Sequence, residues 1–154
     1  MSTRSVAGVH TRIEVLASAA GARSLALDTG LDPRRAEELA LVVAELAMNA
    51  VLHGAGGGQV TVSVSDQGWC VEVEDGGPGL SPAVLADAGV SDRLGRDGVR
   101  PPHDGHASFG SGLASVRRLS NQLELNNRNS GGARVVARRD FLKSSISPQR
   151  GTSP

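Results

Sequence analysis

Glu45-Leu46-Ala47-Met48-Asn49-Ala50-Val51-Leu52-His53-Gly54 is the second half of a helix whose start is written at Asp32-Pro33. A short acceptor side chain caps free backbone amides, and proline suits the first helical turn. From Pro33 to about His53, the residues Leu39, Val42, Val43, Leu46, Ala50 and Val51 recur at spacings of three and four, a stripe that must be buried. Glu45, Asn49 and His53 each stand four residues apart, so each lies about 40° around the axis from the last. The three make one polar line bordering the apolar stripe. The helix stops at Gly54, and glycines continue through Gly58.

On the N-terminal side, Thr11 to Leu16 alternates polar and apolar, the pattern of a short first strand, after a flexible segment at residues 1–10. Ala17 to Thr29 is rich in Ala and Leu and reads as a helix closed by Gly30. On the C-terminal side, Gln59 to Ser65 and Trp69 to Glu74 alternate around Asp66-Gln67-Gly68, an antiparallel hairpin. Asp75-Gly76-Gly77-Pro78-Gly79 breaks the second strand, and Ser81-Pro82 starts a short helix through about Asp87. Ala88 to Phe109 carries glycines, prolines and charges without a period, so it reads as a long loop. Gly110-Ser111-Gly112-Leu113 opens a third helix through Asn121. Leu123 to Arg128 and Arg134 to Arg139 form a second hairpin, and residues 141–154 read as a disordered tail. Residues 11–140 are thus one domain of 154 residues in all, enough for a single core.

Composition narrows the function. Lys plus Arg and Asp plus Glu balance at 16 each, so no overall field draws the chain to nucleic acid or to an anionic membrane. Trp69, Phe109 and Phe141 are the only aromatics, too few for a base-stacking surface. The core must be built from Ala, Val and Leu, side chains that suit helices laid on a sheet. Cys70 is the single cysteine, which fits a reducing compartment, and the cytoplasm is the expected location. No apolar run approaches the roughly 20 residues that span a bilayer.

Three places could carry chemistry, and each has a plain alternative. Asn49 offers an oxygen to a hard cation such as magnesium, which takes only one or two protein oxygens beside phosphate and water. Glu45, one turn away, could accept a proton from an attacking hydroxyl. The same residues would also make an ordinary solvated helix face. Asp75 at a strand end could accept a hydrogen bond from an exocyclic amine, with Gly77 and Gly79 letting backbone approach a flat base. An Asp-Gly pair is equally a hairpin turn. Gly110-Ser111-Gly112 at a helix start offers free amides to an anionic phosphate, or merely sets a turn.

Their order is more telling than any one of them. A helix with Glu45-x-x-x-Asn49, a hairpin, Asp75-x-Gly77-Pro78-Gly79, a long loop and Gly110-x-Gly112-Leu113 opening a helix resemble the N, G1 and G2 boxes of the GHKL ATPase superfamily. The resemblance covers about Thr11 to Asp140. It implies the Bergerat ATP-binding fold, an α/β (α+β) two-layer sandwich whose mixed, mostly antiparallel sheet is covered on one face by helices. Within the superfamily, Glu45 to Gly54, Asp87-Ala88-Gly89-Val90-Ser91 and Gly112 to Leu119 resemble the anti-sigma regulatory kinases of bacterial partner switching. A sensor histidine kinase would need a dimerising helical hairpin bearing its phosphoacceptor, for which the chain has no room.

That resemblance implies ATP and Mg2+ as cofactors and a serine/threonine kinase activity toward a sigma-factor antagonist (STAS-like) domain. Glu45 would be the base and Asn49 the magnesium ligand. Asp75 would contact adenine, Gly77 and Gly79 would shape its pocket, and Gly110, Ser111, Gly112 and Leu113 would hold the phosphates. It also implies a homodimer and, as the competing function, a non-catalytic ATP-binding anti-sigma factor that sequesters a sigma factor. The chain departs from its relatives in two places. The last strand opens with Gly132-Ala133 where they have Gly-Thr, and the loop from Ala88 to Phe109 is long. His103 and His106 beside Asp104 lack the third and fourth ligands of a zinc site. Arg93, Arg96, Arg100, Arg117 and Arg118 read as surface charge, and Cys70 as packing.

Overall fold

The computed structural model describes residues 2–82 and 108–142. Five strands and three helices follow in the order β1 (Thr3–Val9), α1 (Arg12–Asp28), α2 (Pro33–His53), β2 (Gly58–Ser65), β3 (Gly68–Asp75), α3 (Ser108–Leu119), β4 (Gln122–Asn127) and β5 (Ala133–Asp140). The strands form one sheet in the order β1-β2-β3-β5-β4, and all its pairings are antiparallel. No parallel pair of the expected mixed sheet occurs among the described residues.

The start of the chain corrects the sequence reading. Thr11 to Leu16 is not a strand, because Thr11 caps α1: its hydroxyl accepts the N–H of Glu14 at 3.2 Å. The Glu14 carboxylate reaches back toward the His10 N–H at 3.3 Å. This reciprocal box satisfies donors that a strand would have paired elsewhere, and it outweighs a six-residue alternation. The first strand lies upstream at Thr3–Val9, paired along its length with β2, so residues 3–9 are an edge strand and not a loose terminus. The helix α2 begins as expected, with Asp32 accepting the Arg35 N–H at 2.9 Å and Pro33 in the first turn.

Register explains where the core forms. Val60, Val62 and Val64 stand opposite Val73, Val71 and Trp69, and the row continues through Val135 and Ala137 to Leu125 and Leu123. Successive side chains on a strand alternate between faces, so these residues share one face. The helices cover it: α1 meets β1 and β2, α2 meets β1, β2 and β3, and α3 meets β4 and β5. Leu39, Val42, Val43 and Val71 are fully buried there. Burying each such side chain contributes roughly 1.5–3 kcal/mol.

The same alternation sorts β3. Trp69, Val71, Val73 and Asp75 point to the covered face, while Cys70, Glu72 and Glu74 point to the open one. Asp75 is therefore the one acidic side chain on β3 delivered toward α2, at the strand's end.

Candidate functional site

A cavity of about 20 Å³, room for about one water, opens where the C-terminal half of α2 passes the end of β3. Asn49 and Asp75 both line it, with Leu46, Leu80, Leu113 and Ala133 among its walls. The polar line predicted along α2 thus faces inward at Asn49, in the cavity that holds the Asp75 bend.

Asp75 is held from its surroundings by backbone. Its Oδ1 accepts the Gly77 N–H at 3.0 Å and the Ala133 N–H at 3.2 Å. Two amides on one oxygen fix the carboxylate and leave Oδ2 to accept from a ligand. The support from position 133 comes from its backbone amide alone, since alanine has no hydroxyl to add. Gly132 makes that approach feasible: a Cβ there would stand 1.9 Å from the Asp75 carbonyl oxygen.

The glycines let neighbouring segments approach closely. A Cβ on Gly54 would lie 2.5 Å from the Asp75 Cβ, and one on Gly77 would lie 2.7 Å from the Gly54 Cα. The end of α2 and the bend after β3 therefore pack backbone on backbone, which locks Asn49 and Asp75 into one frame. Gly79 makes room for Asn127 in the same way. Neither Gly77 nor Gly79 is among the residues lining the cavity.

Glu45 is half-buried and turned toward α3, where a Cβ on Gly112 would fall 2.4 Å from its Oε2. Its carboxylate lies against the backbone about one turn into α3, near the positive end of that helix. Only glycine at 112 admits this contact. α3 starts at Ser108, two residues before the predicted Gly110. Gly110 therefore falls among the first amides of α3, which have no partner within the helix. Ser111 stands where Val15 and Ala36 stand in α1 and α2, whose amides bond to the capping carbonyl, and Gly112 and Leu113 lie inside the helix. Leu113 is buried and forms a cavity wall. His53, the third member of the polar line, is half-buried at the end of α2 and does not line the cavity.

Of the predicted site, the structure brings Asn49, Asp75 and Leu113 together around one cavity and sets Glu45 against Gly112 beside it. The short helix from Ser81 to Asp87 lies outside the described residues beyond Pro82, as do residues 88–107 of the predicted loop with His103, His106 and the loop arginines. Among the described residues no group of three or more His, Cys, Asp or Glu could hold a metal, so a cation here would depend on a donor such as the Asn49 amide oxygen. No described helix is long and apolar enough to cross a membrane.

Sequence reading missed Leu80, Asn127 and Arg128. Asn127 and Arg128 meet the segment after β3 from 47 and 53 residues away. No local pattern announces such contacts; the only signal is that two polar residues stand where the second hairpin turns.

Residues 34–142 match the family model of the histidine kinase-, DNA gyrase B-, and HSP90-like ATPases. Among solved structures, a chain of the SiaB–SiaC complex from Pseudomonas aeruginosa is similar at a TM-score of 0.59 and 13% identity. The similarity spans 90% of this chain and 88% of that one. No curated protein matches the chain.

Proposed function

The chain belongs to the histidine kinase-, DNA gyrase B-, and HSP90-like ATPase family, and from that premise we propose that it is an ATP- and magnesium-dependent serine/threonine protein kinase of the anti-sigma regulatory type. The observation that carries the proposal is that Asn49 and Asp75, 26 positions apart, line one cavity while Glu45 sits one turn from Asn49 against α3.

Each role follows from the chemistry of the side chain. The free oxygen of Asp75 accepts a hydrogen bond from the exocyclic amine of adenine, and the apolar walls at Leu46 and Leu113 take the flat ring. Leu113 must shift to admit a base, because the cavity is smaller than a purine. The Asn49 amide oxygen is a hard neutral donor that fits one position of a magnesium shell. The first turn of α3, at Gly110 and Ser111, receives phosphate oxygens.

Glu45 takes the proton from a serine or threonine hydroxyl as that oxygen bonds to the γ-phosphorus and the bond to the leaving ADP oxygen breaks. A protein that only clamped nucleotide would have no use for such a base, which favours catalysis over simple sequestration of a sigma factor. The substrate is a sigma-factor antagonist domain of the STAS-like type, in a cytoplasmic partner-switching pathway. The phosphate adds charge to one surface of it and so changes which partner it binds. The fold's likeness to a chain from a two-protein complex supports a protein partner.

The test is incubation with labelled ATP and magnesium beside purified antagonist domains. Label on a serine or threonine of one of them is the expected result. ATP binding with no transfer to any of them would overturn the kinase reading.

A further inference from the structure

The segment from Asp75 to Leu80 carries the base contact at one end and a buried cavity wall at the other, since Leu80 is 8% exposed. Both ends are fastened by the turn of the β4–β5 hairpin. The Asn127 carboxamide takes up both polar groups of Leu80: its Oδ1 accepts the Leu80 N–H at 2.7 Å, and its Nδ2 donates to the Leu80 carbonyl at 3.0 Å. One side chain thereby stands in for the neighbouring strand that Leu80 lacks.

Next to it, Arg128 donates from Nη1 to the Asp75 carbonyl at 2.9 Å, with Nη2 3.7 Å from the Glu74 carboxylate. Gly79 is what allows the approach. Its φ of +84° lies in the left-handed region, and a Cβ there would stand 2.7 Å from Asn127 Oδ1. Neither Asn127 nor Arg128 lines the cavity. They act on it through Leu80 and Asp75.

We propose that Asn127 and Arg128 are positioning residues of the nucleotide pocket, holding the base contact and its wall at a fixed separation before ligand arrives. This inference rests on the reading of the cavity as an ATP site. Its physical content is preorganisation: a segment already held needs no ordering when the base binds, and that saved entropy appears as affinity.

The experiment uses the full chain with Asn127→Ala and Arg128→Met. Asn127 is exposed and Arg128 only partly covered, so the thermal midpoint should move by no more than about 3 °C. Amide exchange in nucleotide-free protein should show the Leu80 N–H protected in the wild type and fast in N127A. MgATP should bind each variant about tenfold more weakly, the equivalent of roughly one net hydrogen bond. Asn127→Asp keeps an acceptor for the Leu80 amide, so it should retain that protection where alanine does not.

Unchanged Leu80 exchange in N127A, or unchanged affinity in variants of a protein that itself binds ATP, overturns the positioning role alone. A wild type that binds no ATP overturns the pocket reading and the positioning role with it.

Discussion

The two faces of the sheet are built on opposite principles. The covered face is a row of Val, Leu and Ala under the helices, interrupted by the cavity at Asn49 and Asp75 and by a cleft between α1 and β1–β2. The open face is a lattice of opposite charges. Arg134 reaches the Glu72 carboxylate with two donors at 2.9 and 3.1 Å, and Arg138 pairs with Glu124 at 3.5 Å. Val136 lies on this second face yet is only 1% exposed, in register with Glu72 and Glu124 and flanked along the strand by Arg134 and Arg138. Long charged side chains can cover an apolar one with their stems. The contrast teaches that stability and chemistry share the covered face, whereas the open face carries paired charges. Arg128 joins the two, pairing with Glu74 on the open side and donating to the Asp75 carbonyl behind the cavity.

The contrast can be broken by substitution, and the largest effect belongs to the covered side. Glu45→Gln should lower phosphotransfer by about 10²–10⁴-fold while ATP affinity stays unchanged, the range expected for loss of a general base. Transfer at the wild-type rate would remove Glu45 from the reaction. Asn49→Ala should abolish the gain in ATP affinity that magnesium brings, read by titrations with the cation and with chelator. Equal gains in the two proteins would end its role as a ligand.

Stability sharpens the same comparison. Leu39→Ala opens a void under the sheet and should cost ~2–5 kcal/mol in denaturant unfolding. A cost below that range would mean the helix layer can collapse into the gap. The open face gives the smallest effect, and it depends on pH. The hydrogen bond from Arg134 holds the Glu72 carboxyl below the usual carboxylate range, and the Glu72 carboxylate in turn raises Arg134. The folded protein therefore keeps Glu72 charged to lower pH than the unfolded chain does. Its contribution is present above the unfolded value and is lost as pH falls through the acid range toward the folded one. Glu72→Gln should make the acid-side fall in thermal midpoint shallower, and an unaltered slope would show that the pair contributes nothing to stability.

Much of this was legible in the residues. The cap at Asp32-Pro33, the stripe along α2 and the alternation of both hairpins gave elements that the structure reproduces within a residue or two. The error at Thr11 is instructive, because Thr11 and Glu14 spell a capping box as plainly as Asp32-Pro33 spells a helix start. Local side-chain chemistry was present there, and a short alternation outvoted it. The third helix starts two residues early. It begins at Ser108, before the glycines, and its Gly112 meets Glu45, 67 positions away.

By itself, the sequence determined which side chains could share a helix face or a strand face, because those periods are properties of the backbone. It therefore placed Glu45 beside Asn49 and put Asp75 at a strand end. Only the tertiary structure decided that Asn49 and Asp75 look into one cavity, that Ala133 supports the aspartate through its amide, and that Asn127 and Arg128 grip the segment beside it. Those contacts join residues 26 to 58 positions apart. Sheet register and the crossing of α2 over β3 bring them together, and both are set by burial of the whole apolar face.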